Sequence, residues 1–181
     1  MNNLKNEWNQ NKKKLCFALA VTFAWGMLTH GYGFAQSAFS HDSLNEFNGS
    51  DGGNFWKIQL GRFVIPAYRA VFRTDLTLPW MIGILSLLWI GLAVYLVIRI
   101  FNMDSKLTMI LTAGIFATNI TVTATAATYL HDYDCDMFAM FCAVAAVYCW
   151  RFLARSGILW GAMLIVLALG IYQSYISVTV V

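Results

Sequence analysis

The stretch LTLPWMIGILSLLWIGLAVYLVI, between Asp75 and Arg99, decides the fold class because its 23 residues carry no charge. A helix needs roughly 20 apolar residues to cross a bilayer. Similar charge-free runs follow, with 24 residues between Lys106 and His131 and 26 after Arg155. The sequence therefore predicts an all-α, polytopic transmembrane protein.

The composition of the whole chain excludes several other classes of protein. Of its 181 residues, 59% are hydrophobic and 12% are charged, whereas soluble domains carry about 25% charged residues. A soluble enzyme, a secreted disulfide scaffold and a disordered tail are excluded. The net charge of +3 is too small and too scattered to indicate a nucleic-acid partner.

About five membrane spans are predicted after a basic cytoplasmic tail at residues 1–14, and residues 15–181 form one transmembrane domain. The predicted spans are 15–35, 78–98, 107–130, about 136–152 and 157–181. The first of them could instead be a cleaved signal peptide. Its apolar run exceeds the usual 7–15 residues, which favours an uncleaved helix.

Residues 36–77 form a long polar interlude between the first two spans. From 55 to 72, aromatic and aliphatic residues are mixed with Lys57, Arg62 and Arg69. This mixture predicts a short amphipathic helix in the membrane interface, broken near Pro66.

The positions of Lys and Arg predict the orientation of the spans. With a cytoplasmic N-terminus, eight Lys and Arg residues lie inside and four outside, and seven of the nine acidic residues lie outside. This agrees with the positive-inside rule. The acidic clusters should then face the periplasm or the cell exterior.

Three acids, Asp132, Asp134 and Asp136, stand at the outer end of the fourth span. Only 14 uncharged residues separate Asp136 from Arg151, which is about 21 Å of helix. Because this is shorter than a hydrocarbon core of about 30 Å, either Asp136 lies below the outer surface or Arg151 snorkels inward. An Asp side chain cannot snorkel far, so a water-filled cavity is expected at the level of Asp136. The alternative is that Asp132 or Asp134 is an ordinary helix N-cap.

A further acid, Asp42, follows the first span on the same predicted side, next to His41. Taken alone, it is an ordinary loop aspartate. Taken with the acids of the fourth span, it predicts two carboxylates in one outward cavity, where one could accept a proton from an attacking hydroxyl.

Arg62, Arg69 and Arg73 are the cationic complement of these acids. At offsets of seven and four they would share one helix face. Guanidinium groups suit phosphate oxygens, so a lipid phosphate is one ligand and unspecific contact with anionic headgroups is the other. Asp75 could also neutralise Arg69 or Arg73 locally.

Four segments carry a family resemblance: Ser40-His41-Asp42-Ser43, Gly61-Arg62-Phe63, Tyr133-Asp134-Cys135-Asp136-Met137-Phe138-Ala139-Met140 and Tyr172-Gln173-Ser174-Tyr175. In order and topological spacing they resemble the C-type glycosyltransferase superfamily. More narrowly, the chain is similar to the GtrII-type glucosyltransferases, often phage-encoded, which modify bacterial O-antigen in serotype conversion.

The resemblance implies transfer of glucose from undecaprenyl phosphate to a hydroxyl of the lipopolysaccharide O-antigen. It makes Asp42 the catalytic base, Asp134 or Asp136 the acid that heads the fourth helix, and Arg62 a neighbour of the donor phosphate. The further residues expected to bind substrate are Arg69, Arg73, His41, Asp132, Tyr172 and Gln173. Tyr172 and Gln173 could instead mark the aromatic belt.

The chain departs from the family pattern in two respects. Its first loop has His41-Asp42 where the family often has two adjacent acids. Family members are also several hundred residues long, with about twice as many spans. We therefore expect an N-terminal portion, a truncated product or half of a split enzyme.

No cofactor is expected, and no metal, because the acids and histidines lack a ligand spacing. The expected partners are a polyprenyl-phosphate sugar donor, a lipopolysaccharide acceptor and membrane lipids, with no nucleic acid. Whether the chain is an enzyme stays open at this stage. The alternatives are a small transporter, a lipid-sugar flippase or assembly partner, or an inactive genetic remnant.

Overall fold

The computed structural model of the protein describes residues 2–36, 52–74 and 77–180, which form helices and turns. The helices in chain order are α1 (Asn2–Ala35), α2 (Gly52–Gln59), α3 (Val64–Phe72), α4 (Pro79–Ile100), α5 (Lys106–Thr118), α6 (Ile120–Thr128), α7 (Tyr133–Phe152), α8 (Ala154–Leu169) and α9 (Ser177–Val180). Two 3₁₀ turns lie at Leu130–Asp132 and Gln173–Ile176. The all-α prediction is confirmed for this part of the chain.

The described helices are those of a membrane protein. Four stretches are long and apolar enough to cross a bilayer: Asn9–Ala35, Pro79–Ile100, Lys106–Thr128 and Leu130–Phe152. A fifth apolar helix, Ala154–Leu169, is shorter. The predicted architecture of about five spans therefore agrees with the helices observed.

Helix α4 is the centre of the bundle, packed between α1 and α7. Its side chains at Leu87, Ile90 and Ile98 are completely buried. Helix α1 runs antiparallel to it, with Gly26 against Leu87 and Phe34 against Gly83. Small residues at such contacts let helix backbones approach closely, which is a main source of helix association in membranes.

Helices α7 and α8 form a tight antiparallel hairpin. A Cβ atom at Gly157 would lie 2.1 Å from the carbonyl oxygen of Cys149, and one at Gly161 would lie 3.2 Å from that of Ala146. The two glycines are four residues apart on one face of α8. They explain why this face lies directly on the backbone of α7.

The predicted fifth span, 157–181, is wrong as a continuous helix. Helix α8 ends at Leu169, and the chain turns at Gly170 before the 3₁₀ turn. A side chain at Gly170 would collide with Val64, since its Cβ would lie 2.4 Å from Cγ2 of that residue. The carbonyl of Gly170 instead accepts a hydrogen bond of 2.9 Å from the backbone N–H of Val64. Tertiary contact with the start of α3 accompanies the helix end.

The predicted third span, 107–130, is interrupted at Asn119, which separates α5 from α6. Asn119 has an extended backbone, and its side-chain oxygen accepts a hydrogen bond from the N–H of Val122. Asn side chains compete with helix hydrogen bonds in this way and cap the helix that follows. The threonine-rich run is therefore two helices.

The interfacial segment consists of two helices, α2 and α3, and the break between them lies at residues 60–63. The break was predicted near Pro66 and lies just before it, because Pro66 itself is the third residue of α3, where a helix does not need its N–H. Phe55, Trp56 and Ile58 of α2 are exposed, whereas Lys57 is buried. Apolar side chains outside and a cation inside suit a segment lying in the membrane interface.

Candidate functional site

The turn after α2 holds Arg62 in a defined position. Gly61 has a φ of 80°, a left-handed conformation that glycine adopts without a Cβ penalty. The N–H of Gly61 donates to the carbonyl of Ile58, and the N–H of Arg62 donates to that of Lys57, at 2.9 and 2.8 Å. This pair of bonds is a Schellman motif. The motif explains why a glycine precedes Arg62, because the residue at this position needs a left-handed backbone.

The C-terminal segment lies against this turn. Gln173 Nε2 donates to the carbonyl of Leu60 at 3.3 Å, and the guanidinium carbon of Arg62 lies 4.7 Å from the ring centre of Tyr172. A guanidinium over a tyrosine face is a cation–π contact. Two of the segments that carry the family resemblance, around Arg62 and around Tyr172, are therefore in contact.

Asp132 forms a buried ion-pair cluster at the start of α7. Lys57 Nζ lies 2.9 Å from its Oδ2, and Arg69 Nη2 lies 2.5 Å from its Oδ1. His131 Nε2 lies 3.3 Å from Oδ2. The four side chains are each 7% exposed. This cluster fastens α2 and α3 to the end of the bundle.

Asp134 forms a second buried ion pair beside the first. Arg73 Nε lies 2.9 Å from its Oδ2, with side-chain exposures of 1% and 0%. Arg73 Nη2 also donates to the carbonyl of His131. Lys57, Arg69, Arg73, Asp132 and Asp134 are called the ion-pair layer below.

The capping interpretation of Asp132 is wrong. Asp132 occupies the N-cap position of α7, but its side chain makes no cap hydrogen bond. Its carboxylate is turned to Lys57 and Arg69 instead. A salt bridge to buried cations holds a carboxylate more strongly than a neutral N–H does.

The expectation that Arg62, Arg69 and Arg73 share one helix face is also wrong. Arg62 precedes α3, whereas Arg69 lies within it and Arg73 is its C-cap. Arg69 and Arg73 reach Asp132 and Asp134. Their predicted role in binding substrate stays a prediction.

A cavity of about 580 Å³ lies next to the ion-pair layer. It separates the α5–α6 region from the start of α7 and the C-terminal segment. Its walls are Arg62, Ile115, Phe116, Asn119, Thr121, Val122, Thr125, Tyr129, Asp132, Asp136, Met140, Tyr172, Ser174, Tyr175, Ser177 and Val178. Pockets of about 300–1,000 Å³ with a few polar groups on apolar walls are typical of small-molecule sites.

Asp136 is the acid that faces this cavity without an ion pair or hydrogen bond among the described residues. Tyr175 lies beside it on the cavity wall. Burial, and next the negative charge of Asp136, raise the pKa of Tyr175 well above its ordinary value. Tyr175 therefore keeps its phenolic proton and can donate a hydrogen bond there.

The structure brings together most of the residues that the sequence singled out. Arg62, Asp132, Asp136 and Tyr172 line the cavity. Asp134 lies behind it in the ion-pair layer, and Gln173 contacts the turn at Leu60. His41 and Asp42, the two first-loop candidates, lie outside the described residues.

Sequence reasoning missed several residues of this region. It did not connect Lys57 with Asp132, because the two residues are 75 positions apart and no local pattern indicates the pair. It also did not single out Thr121 and Thr125 within the predicted span 107–130. Their spacing of four residues puts them on one helix face, which was the available signal.

Within residues 2–36, 52–74 and 77–180, no group of three or more His, Cys, Asp and Glu residues is placed to hold a metal ion. The stretch 37–51 adds His41, Asp42, Glu46 and Asp51. The expectation of metal-free chemistry therefore stays a prediction.

Comparison with known proteins now bears on this geometry. A family described as Glucosyl transferase GtrII matches residues 31–181. The chain belongs to the GtrII glucosyltransferase family. Its function is accordingly of glucosyltransferase type. No curated protein and no solved structure matches the chain.

The match to the GtrII family includes both the ion-pair layer and the cavity wall. Residues 31–181 contain the whole ion-pair layer and every residue of the cavity wall. They also contain His41 and Asp42 in the first loop. The suspected GtrII resemblance is thus confirmed, and the cavity is the place in the described structure where its chemistry can be sought.

Proposed function

We propose that this protein transfers glucose from undecaprenyl-phosphate-glucose to a sugar hydroxyl of the lipopolysaccharide O-antigen, on the periplasmic side of the bacterial inner membrane. The observation that carries the proposal is the cavity of a GtrII-family chain with Arg62 and Asp136 on its walls. A transferase of this kind needs a cation for the phosphate and a carboxylate that acts as a base toward the attacking hydroxyl.

The distribution of charge supports the periplasmic side. The ion-pair layer and the cavity lie at the end of the bundle where α1 ends and α4 begins. The Lys14–Asp104 pair, with 2.7 Å between Nζ and Oδ1, lies at the opposite end. That opposite end carries eight of the twelve Lys and Arg residues. The positive-inside rule therefore favours a cytoplasmic location for it and for the N-terminus.

The proposed reaction is a single displacement at the anomeric carbon of glucose. The acceptor oxygen forms a bond to this carbon, and the bond from the carbon to the phosphate oxygen breaks. The hydroxyl proton moves to a carboxylate, and undecaprenyl phosphate leaves with one more negative charge. Arg62, held over Tyr172, offsets that charge, and such electrostatic stabilisation is a large term in catalysis.

Two acids are candidates for the base. Asp42 is assigned by the family resemblance, and Asp136 by its position on the cavity wall. Asp134 is a weaker candidate because its carboxylate is fully buried against Arg73. Asp132 is engaged by Lys57 and Arg69 and serves to position the site.

The test is radiolabelled glucose transfer from undecaprenyl-phosphate-glucose to lipopolysaccharide in membranes that contain the protein. Asp136→Asn and Asp42→Asn are compared with wild type. General bases contribute about 100- to 10,000-fold to a rate, so loss of the base should lower transfer by at least about 100-fold. Asp104→Asn, at the exposed far end, is the matched control.

Equal transfer by Asp136→Asn and wild type would remove Asp136 from the reaction, and the same holds for Asp42→Asn. Wild-type membranes that transfer no glucose would contradict the proposed function itself. Proton-coupled solute uptake without sugar transfer would favour a transporter instead.

A further inference from the structure

The break between α5 and α6 is closely supported by side chains. Asn119 Nδ2 donates to the carbonyls of Ile115 and Phe116, at 3.2 and 3.1 Å, while its Oδ1 accepts from Val122 N–H at 3.0 Å. One side chain therefore serves both helix ends. A carbonyl freed by a broken helix is costly in a membrane unless it finds a donor.

A second support comes from α1. His30 Nε2 lies 2.8 Å from the carbonyl oxygen of Ala117 and is buried. The His30 ring also packs edge-on against Tyr133 at the start of α7. The break is thus stabilised by Asn119, which lies at the break itself, and by His30 of α1, which also contacts the first residue of α7.

The break determines what the cavity wall presents. Thr121 and Thr125, one turn apart at the start of α6, both line the cavity that Arg62 and Asp136 line. Thr125 Oγ1 donates to the carbonyl of Thr121 at 2.9 Å, which leaves its oxygen lone pairs to accept. Thr121 is exposed and also lines the cavity. The hydroxyl groups of Thr121 and Thr125 therefore lie on the same part of the cavity wall as the apolar side chains of Ile115 and Val122.

We propose that Thr121 and Thr125 form a subsite for the hydroxyl groups of a pyranose ring, held in place by Asn119 and His30. This inference rests on the proposed function, whose donor and acceptor both carry such a ring. Thr125 Oγ1 can accept a hydrogen bond from a sugar hydroxyl, and the Thr121 hydroxyl can accept one or donate one. Tyr129 and Tyr172 on the same cavity add aromatic surface.

The first test is transfer kinetics of Thr121→Val/Thr125→Val, with donor and acceptor concentrations varied separately. Valine keeps the shape of threonine and removes its hydroxyl. The loss of two hydrogen bonds should raise one KM roughly tenfold, with kcat little changed. The substrate whose KM rises identifies the ring as that of the donor or that of the acceptor.

The matched control is Thr123→Val, in the same helix but off the cavity wall. It should leave both KM values as in wild type. A double variant whose KM values equal those of Thr123→Val would overturn the subsite. Asn119→Leu should reproduce the rise in KM because it removes the support of the break.

A second readout does not depend on transfer. Thr121→Cys is treated with a maleimide, and peptide mass spectrometry reports labelling at residue 121 apart from the four native cysteines. Undecaprenyl-phosphate-glucose or lipopolysaccharide, added separately, should protect residue 121, whereas labelling of Thr123→Cys should not change.

Protection without any glucose transfer would support the subsite and contradict the proposed reaction. A residue 121 that reacts freely in the presence of both ligands, or that does not react at all, would overturn the subsite.

Discussion

The ion-pair layer and the cavity wall meet at one short segment of acids, residues 132–136. The electrostatic environment of these acids differs between the two regions. Asp132 and Asp134 are buried against cations of α2 and α3. Asp136, four residues after Asp132, faces the cavity without such a partner in the described part of the chain. Two acids of this segment therefore hold the structure, and one is available for chemistry.

Helix geometry accounts for part of the difference. Asp132 is the N-cap residue of α7 and Asp136 follows about one turn later, whereas Asp134 lies about half a turn from both. Accordingly, Asp132 and Asp136 line the cavity and Asp134 does not. Asp132 differs from Asp136 because the helix start brings it level with Lys57 and Arg69.

The largest effect is expected from the ion-pair layer. Asp134→Asn leaves Arg73, which is 1% exposed, facing a neutral amide. Breaking a buried ion pair on one side costs about 3–5 kcal/mol, so the free energy of unfolding should fall by about that amount. Denaturant titration of the purified protein in detergent micelles measures it.

The control for this prediction is the exposed pair at the other end. Asp104 is 79% exposed, and Asp104→Asn should cost no more than about 1 kcal/mol. The double variant Asp134→Leu/Arg73→Met should recover part of the stability lost in Asp134→Asn, since it leaves no buried charge. Equal losses in Asp134→Asn and Asp104→Asn would remove the distinction between layer and surface.

The next effect concerns the cavity wall and should appear in activity. Arg62→Gln removes the cation that offsets charge on the leaving phosphate, and glucose transfer should fall about 100-fold. Arg62→Lys keeps the charge but not the planar stacking on Tyr172. Its transfer rate should therefore lie between those of wild type and Arg62→Gln. Initial rates of radiolabelled transfer give the order.

Arg155→Gln is the control, because Arg155 is exposed at the start of α8, away from the cavity. It should transfer glucose as wild type does. An Arg62→Gln variant with wild-type rates would contradict the proposed role of Arg62. The cation that offsets the charge on the leaving phosphate would then have to come from the ion-pair layer.

The smallest effect is expected at the turn that joins the two regions. Gly61→Ala places a Cβ atom at a φ of 80°, a strain of about 1–2 kcal/mol. Thermal unfolding should shift down by a few degrees, and transfer should fall modestly as Arg62 moves. Gly33→Ala in α1 has open space around its Cβ and should not destabilise the protein. A Gly61→Ala variant as stable as Gly33→Ala would contradict the strained turn.

Several parts of the fold followed from local patterns. The span predicted at 78–98 agrees with α4 to within two residues at each end, because span length is fixed by bilayer thickness. The distance from Asp136 to Arg151 predicts a cavity at Asp136, and a cavity is present there. Both inferences depend only on helix rise and hydropathy.

Other features did not follow from such patterns. Hydropathy cannot detect the break at Asn119, because its neighbours are as apolar as those of an unbroken span. The end of α8 depends on contact between Gly170 and Val64, which are 106 positions apart. The N-cap interpretation of Asp132 failed because Lys57 and Arg69 come from a different part of the chain.

The sequence by itself determined that this is a helical membrane protein and, by its motifs, that it belongs with the GtrII glucosyltransferases. Both are properties of residue order, set by the cost of burying charge in lipid and by matching segments. Only the tertiary structure decided which acid meets which cation. An ion pair forms between groups a few ångströms apart, and that separation depends on how α2, α3 and α7 pack.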